Sequence, residues 1–196
     1  MALLTTHASN LDLSAEPSER RWTREEYFQL AEQGYFRGQR VQLIDGRIIQ
    51  MPPQGVPHAL AIERADSALR AAFKSGYRFC IQMPFHAANG ADPEPDIAVV
   101  VGSPRDPISD HPNTAVLIVE VSDTSLKLDR AKASLYAASG VGEYWIINLP
   151  EGGLEVHRDA DVSGAVYRNV SISKRGESVT PLSAPHVAIA VNDLLP

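Results

Sequence analysis

The period of apolar positions changes along this chain, and each change predicts a new element. Thr23 followed by Glu26 has capping-box spacing and opens a short helix that Gly34 should end. Over 41–51, β-branched and leucine residues flank Asp45-Gly46, a strong turn dipeptide, so this stretch predicts a β-hairpin. After Pro52-Pro53, residues Leu60, Ala61, Ala65, Ala68, Leu69, Ala72 and Phe73 recur at helical spacing. They predict an amphipathic helix over 58–74, closed by Gly76.

Strands are predicted over 77–85, 96–101 and 114–122. The last is nearly all apolar, which places it at the centre of a sheet covered on both faces. Helical spacing returns over 126–139, with Ala131, Leu135 and Ala138 as the expected core face and Gly140 at the end. Another buried strand follows at 144–148, then weaker ones near 154–158, 165–172 and 186–191. The pattern predicts an α/β fold: a mixed β-sheet flanked by helices, an N-terminal helix and β-hairpin, and a small C-terminal β extension. It is not the alternation of a doubly wound array.

Composition narrows the class. A chain of 196 residues with 44% hydrophobic and 21% charged residues is globular. That length predicts a single domain, over 22–196, and the mix of Ser, Glu, Pro and Arg without periodicity before it predicts a mobile N-terminal arm over 1–21. Lys plus Arg is 18 against 24 for Asp plus Glu, a net charge of −6. Such a balance argues against coating nucleic acid or anionic membrane wholesale, and leaves room for a local basic groove. No apolar run is long enough to span a bilayer, the first residues carry no basic signal region, and the one cysteine, Cys80, rules out an intramolecular disulfide. These features predict a cytoplasmic protein with no membrane partner.

Several chemistries are excluded. No phosphate-binding G-x-x-x-x-G-K-[ST], no G-x-G-x-x-G and no G-x-S-x-G occurs. The six histidines, at 7, 58, 86, 111, 157 and 186, form no HxH or HExxH pair, so zinc has little support. Cys80 lies between Phe79 and Ile81 in a predicted strand and reads as core.

Carboxylates are the informative feature. Pro93-Glu-Pro-Asp96 leads into an apolar strand, and Glu120 is embedded in the next one, after Leu117-Ile-Val. In an antiparallel hairpin paired positions sum to a constant; the loop midpoint near residue 108 makes that constant 216, the sum of 96 and 120. Asp96 and Glu120 would then face each other. A buried carboxylate must be paired or hold a cation, so two at one point imply a shared proton or an ion such as Mg²⁺. The alternative has Glu120 ending its strand on Arg130 and Asp96 capping its own. On the following helix Asp129, Lys132 and Tyr136 share one stripe, which would bring Lys132 towards Glu120 or leave it in a surface pair with Asp129.

Taken in order, Pro95-Asp96, Glu120-x-Ser122, Asp129-x-x-Lys132-x-x-x-Tyr136 and Gly142-Glu-Tyr-Trp145 resemble the Uma-two family of restriction endonuclease-like proteins, a branch of the PD-(D/E)XK nuclease superfamily. Gln42-Leu-Ile-Asp-Gly46, the His58 helix start and Asn192-Asp-Leu-Leu195 extend the resemblance across about 22–196. It implies four mixed strands flanked by helices and a metal-dependent endonuclease acting on DNA. Asp96, Glu120 and Lys132 would be catalytic, and Mg²⁺ or Mn²⁺ would sit on Asp96, Glu120 and the Val121 carbonyl. Ser122 stands where the superfamily places its lysine, and would instead bond a water on the metal. Asp129 would orient Lys132, and Tyr136 would buttress it. His58 matches a position the family fills with histidine, which a helix-start hydrogen bond explains equally well. Gln42 departs from the usual glutamate, so a third acidic ligand is missing. Two other readings stay open: an inactive nuclease-fold binding module, and a metal-dependent hydrolase of a non-nucleic phosphoester. A homodimer would fit an enzyme that cuts both strands.

Overall fold

The structure is a computed structural model and describes residues 18–196. Most of the arm expected at 1–21 lies outside the described residues. Helix α1 (Arg24–Glu32) begins with the expected capping box: the Thr23 side chain accepts from the Glu26 N–H while Glu26 reaches back to the Thr23 N–H. Strands β1 (Val41–Ile44) and β2 (Arg47–Gln50) form the hairpin, with Asp45 and Gly46 both at positive φ, the conformation a tight primed turn needs. Tyr27, Val41 and Leu43 bury together between helix and hairpin. The Asp92 N–H donates to the Leu43 carbonyl at 2.8 Å, which ties β1 to the chain just before Asp96.

Helix α2 (Val56–Phe73) follows, then β3 (Tyr77–Ile81), β4 (Ile97–Val101), β5 (Leu117–Ser122), α3 (Leu126–Ala138) and β6 (Glu143–Asn148). Strands β7 (Gly153–Asp161) and β8 (Val166–Lys174) come next, and β9 (Ser178–Val179) pairs with β10 (Ile189–Ala190). The main sheet runs β3-β4-β5-β6-β7-β8 and is antiparallel except for the parallel β5–β6 pair. Every residue of β5 is buried, as its apolar run requires. Alternate residues of the strands meet two cores. One holds Ile97, Val99, Val119 and Val121 against α2 and the C-terminal Leu194 and Leu195. The other holds Cys80, Ala98, Ile118 and Ile146 against Tyr136 and Ala137 of α3. Among the described residues no helix is long and apolar enough to cross a membrane.

Three expectations need correction. The four mixed strands the resemblance implies are β3-β4-β5-β6, but β7 and β8, expected in the small C-terminal β extension, continue this sheet to six strands and leave β9 and β10 as the extension. The strand expected over 77–85 stops at Ile81, since Gln82 takes a positive φ and turns its side chain to Asp96. Finally, α3 does not bury Ala131, Leu135 and Ala138: its buried residues are Asp129, Lys132, Tyr136 and Ala137, and Ala131 is exposed. The helix turns its polar stripe inwards because that stripe finds opposite charge and hydrogen-bond partners on β5.

Candidate active site

β4 and β5 pair Ile97 with Val119 and Ala98 with Ile118, which is the register summing to 216. One step further, Asp96 and Glu120 face each other at the strand ends, and the Asp96 N–H donates to Glu120 Oε2 at 3.3 Å. Lys132 Nζ donates to Glu120 Oε1 at 2.9 Å and lies 3.4 Å from Asp129 Oδ1. The Tyr136 hydroxyl donates to the same Glu120 oxygen at 2.7 Å. Lys132 is 2% exposed and Glu120 3%, so the Lys132–Asp129 pair is buried and not at the surface; Arg130 pairs with Glu155 at 2.6 Å and not with Glu120.

Asp96 is held from three sides. Val121 N–H donates to Oδ2 at 2.8 Å, while Gln82 Nε2, at 3.1 Å, and His58 Nε2, at 3.3 Å, meet Oδ1. His58 sits in the first turn of α2, after Pro57, and also contacts Gln54. Each carboxylate has about four lone-pair directions, so these three contacts on Asp96 and three on Glu120 leave one free on each. In an extended strand a residue's C=O and N–H point to the same edge, so the Val121 carbonyl lies on the β4 side of β5, and Val121 lines the cleft. Gln42 is buried on β1 at the cleft, where its Nε2 donates to the Glu94 carbonyl at 3.4 Å and its Oε1 has no partner among the described residues. Ser122 does not line the cleft: it is fully buried, and its hydroxyl has no partner among the described residues.

The cleft has a volume of about 50 Å³. Five carboxylates (Glu94, Asp96, Glu120, Asp123 and Asp129) line it against two full cations, Arg40 and Lys132, and His58. Burial pushes Glu120 up to about 7; Lys132 opposes the rise, while Asp129 and Asp96 add to it. Burial likewise raises Glu94, against Arg40 and Lys132. Burial alone would lower Lys132, but Glu120 and Asp129 outweigh it and hold the ammonium above its ordinary value. His58 behaves the same way: burial pulls it down, and Asp96 and Glu120 raise it further. Among the described residues no three His, Cys, Asp or Glu side chains converge as a metal cage. The donors at hand, two carboxylates with one free direction each, a main-chain carbonyl and room for water, suit Mg²⁺, which binds through one or two carboxylates and keeps its waters.

Sequence reasoning missed Gln82, Glu94, Arg40 and Asp123. Gln82 was open to the same midpoint arithmetic: β3 and β4 pair with a sum of 178, centred on the turn residues Asn89-Gly90, which puts Gln82 opposite Asp96. Arg40 and Asp123 carry no local signal.

A family model described as "Putative restriction endonuclease", Uma2, matches residues 24–192. The chain belongs to the Uma2 family. Among solved structures, a crystal structure titled as a putative nuclease belonging to DUF820, from Anabaena variabilis ATCC 29413, matches with a TM-score of 0.69 and 20% identity. The match covers 88% of this chain and 96% of that one, and at this identity it shows that the Uma2 chain shares its fold. Among proteins of curated function none matches. The motif residues of this Uma2 chain, Asp96, Glu120, Lys132, Asp129, Tyr136 and His58, come together in space around one cleft; Gln42 joins them, and Ser122 does not.

Proposed function

We propose that this chain hydrolyses phosphodiester bonds in DNA with Mg²⁺, or Mn²⁺, held by Asp96, Glu120 and the Val121 carbonyl. The observation that carries the reading is the opposition of Asp96 and Glu120 at the β4–β5 end with the buried Lys132 ammonium on the same carboxylate. Membership of a family described as restriction endonucleases supports it. Such an ion supplies Lewis acidity to a phosphoryl oxygen and makes water a better nucleophile at neutral pH. Lys132, kept protonated by Glu120 and Asp129, sets positive charge where negative charge grows on the phosphoryl oxygens. Asp129 and Tyr136 are positioning residues that fix this ammonium and the Glu120 carboxylate, as Gln82 and His58 fix Asp96. Hydrolysis forms a bond from the water oxygen to phosphorus and breaks the ester P–O bond, with the proton passing to the leaving oxygen.

The cleft volume of about 50 Å³ bears on substrate class. Pockets that enclose a small molecule run to roughly 300–1,000 Å³, so a phosphoester would lie across this mouth, as a polymer backbone does. A second reading, a binding module that has kept the fold, is favoured by one residue: Gln42, neutral and buried at the cleft. Calorimetric Mg²⁺ titration of wild type and Glu120→Gln, followed by plasmid nicking, decides between them. The nuclease reading expects Mg²⁺ binding and nicking in wild type and loss of both in the variant. Wild type that binds Mg²⁺ or Mn²⁺ and leaves every DNA intact would favour the module.

A further inference from the structure

The inward turn of α3 leaves part of its apolar stripe, Leu128 and Ala131, incompletely covered, while Leu135 packs against the second core. Leu128 is half-buried and Ala131 exposed, although both belong to the hydrophobic face of an amphipathic helix. Together with Met51 and Pro52 they line a depression of about 450 Å³ whose lining is mostly apolar. This depression is not remote from the acids: Met51, Pro52, Thr124 and Ser125 line both it and the carboxylate cleft. Gln50, Thr124 and Ser125 add polar groups to the lining, and the exposed Lys127 belongs to it as well.

We infer that this depression receives one unpaired nucleobase next to the phosphate held at the carboxylates, so that the preferred substrate is single-stranded or locally unpaired DNA. The inference rests on the proposed function and specifies its substrate. Three features favour a base as the occupant. A mostly apolar depression that shares four lining residues with the carboxylate cleft, and includes the Gln50 amide and the Thr124 and Ser125 hydroxyls, suits an apolar ring face with polar edge atoms. Lys127 in the lining complements the neighbouring backbone phosphate, whereas the cleft itself is acidic. In addition, the chain has a net charge of −6, and only Arg40 and Lys132 provide full cations in the cleft. Duplex binding draws on many phosphate contacts at once, while single-strand binding gains from base contacts that need no charge.

The test compares wild type with Leu128→Asp and Ala131→Glu in Mg²⁺. Ala131 is exposed and glutamate is a good helix former, so Ala131→Glu keeps the test alive should Leu128→Asp fail to fold. Fluorescence anisotropy with a labelled oligothymidylate and a duplex of equal length reads affinity, and calorimetry on the same samples reads Mg²⁺ binding. The expected result is single-strand affinity at least tenfold above duplex affinity in wild type, a fall of roughly tenfold in the variants, and unchanged Mg²⁺ affinity. Equal affinity for both DNA forms, or variants with wild-type affinity for the single strand, would overturn the inference. So would variants whose only change is in oligomeric state by sedimentation, which would make this face a subunit contact. Failure of the nuclease reading looks different: there, wild type binds no Mg²⁺ or cuts neither form. Wild type that binds Mg²⁺ and nicks plasmid without single-strand preference defeats the base subsite alone.

Discussion

Lys132 Nζ lies 2.9 Å from Glu120 Oε1, with both side chains almost wholly withdrawn from solvent. An ammonium and a carboxylate that deep each favour the other's charged form: Glu120 helps keep Lys132 protonated, and Lys132 opposes the rise that burial imposes on Glu120. Removing one partner of such a pair costs about 3–5 kcal/mol, because the other is left buried and uncompensated. Stability and chemistry are therefore coupled at this pair, and the experiments below separate them.

Lys132→Met is the informative variant for catalysis, since it keeps volume where alanine would open a cavity. It should lower plasmid nicking by about 10²–10³ at saturating Mg²⁺, with calorimetry on the same samples showing that the metal is bound when the rate is read. Lys174→Ala, on the exposed face of β8, should nick at the wild-type rate. Lys132→Met nicking at that rate would refute the role assigned to it.

Mg²⁺ should raise the melting temperature of wild type by mass action, by an amount that grows with its concentration. Glu120→Gln removes one of the two carboxylates, so its shift should be much smaller. Equal shifts in thermal melts of the two proteins would place the ion elsewhere.

The pH dependence of metal-free stability has a defined sign. Glu120 titrates near its ordinary 4.5 when unfolded and at about 7 when folded, so between those values the folded state binds the extra proton. Raising pH through this window opposes folding, and the loss is complete above about 7. Urea midpoints in chelator should therefore fall between pH 5 and pH 8 in wild type, and the fall should be smaller in Glu120→Gln. A raised His58 acts in the same direction and remains in both proteins. Identical slopes would show that Glu120 does not titrate in this range.

Tyr136→Phe deletes one buried donor to Glu120 and nothing else of size. Denaturation should show a loss of about 1.5–3 kcal/mol, the range for hydrogen bonds to charged groups. Nicking should fall less than in Lys132→Met, since Tyr136 positions Glu120 and does not meet the phosphate.

Gln42→Glu adds a sixth carboxylate to an acid-rich cleft. It should lower the melting temperature in chelator and enlarge the Mg²⁺-induced rise, because the ion relieves the added repulsion. A variant that melts like wild type in both conditions would mean that position 42 does not sense the ion.

The elements and the acid pair were legible in the chain itself. Hydrophobic period marks α2 and β5, Thr23 and Glu26 open α1, and the spacing from Asp96 to Glu120 around a loop midpoint specifies the β4–β5 register, since strand partners in a hairpin must sum to a constant. These are local or nearly local properties. Only the tertiary structure decided which face of α3 goes inside. By hydropathy Ala131, Leu135 and Ala138 should be buried, yet Asp129, Lys132 and Tyr136 are, because β5 presents Glu120 within hydrogen-bond distance of two of them. The same holds for Gln82 and His58 on Asp96, and for the extension of the sheet through β7 and β8. Burying a charge becomes favourable only when a partner from a distant segment meets it, and a local pattern of apolar residues holds no record of that meeting.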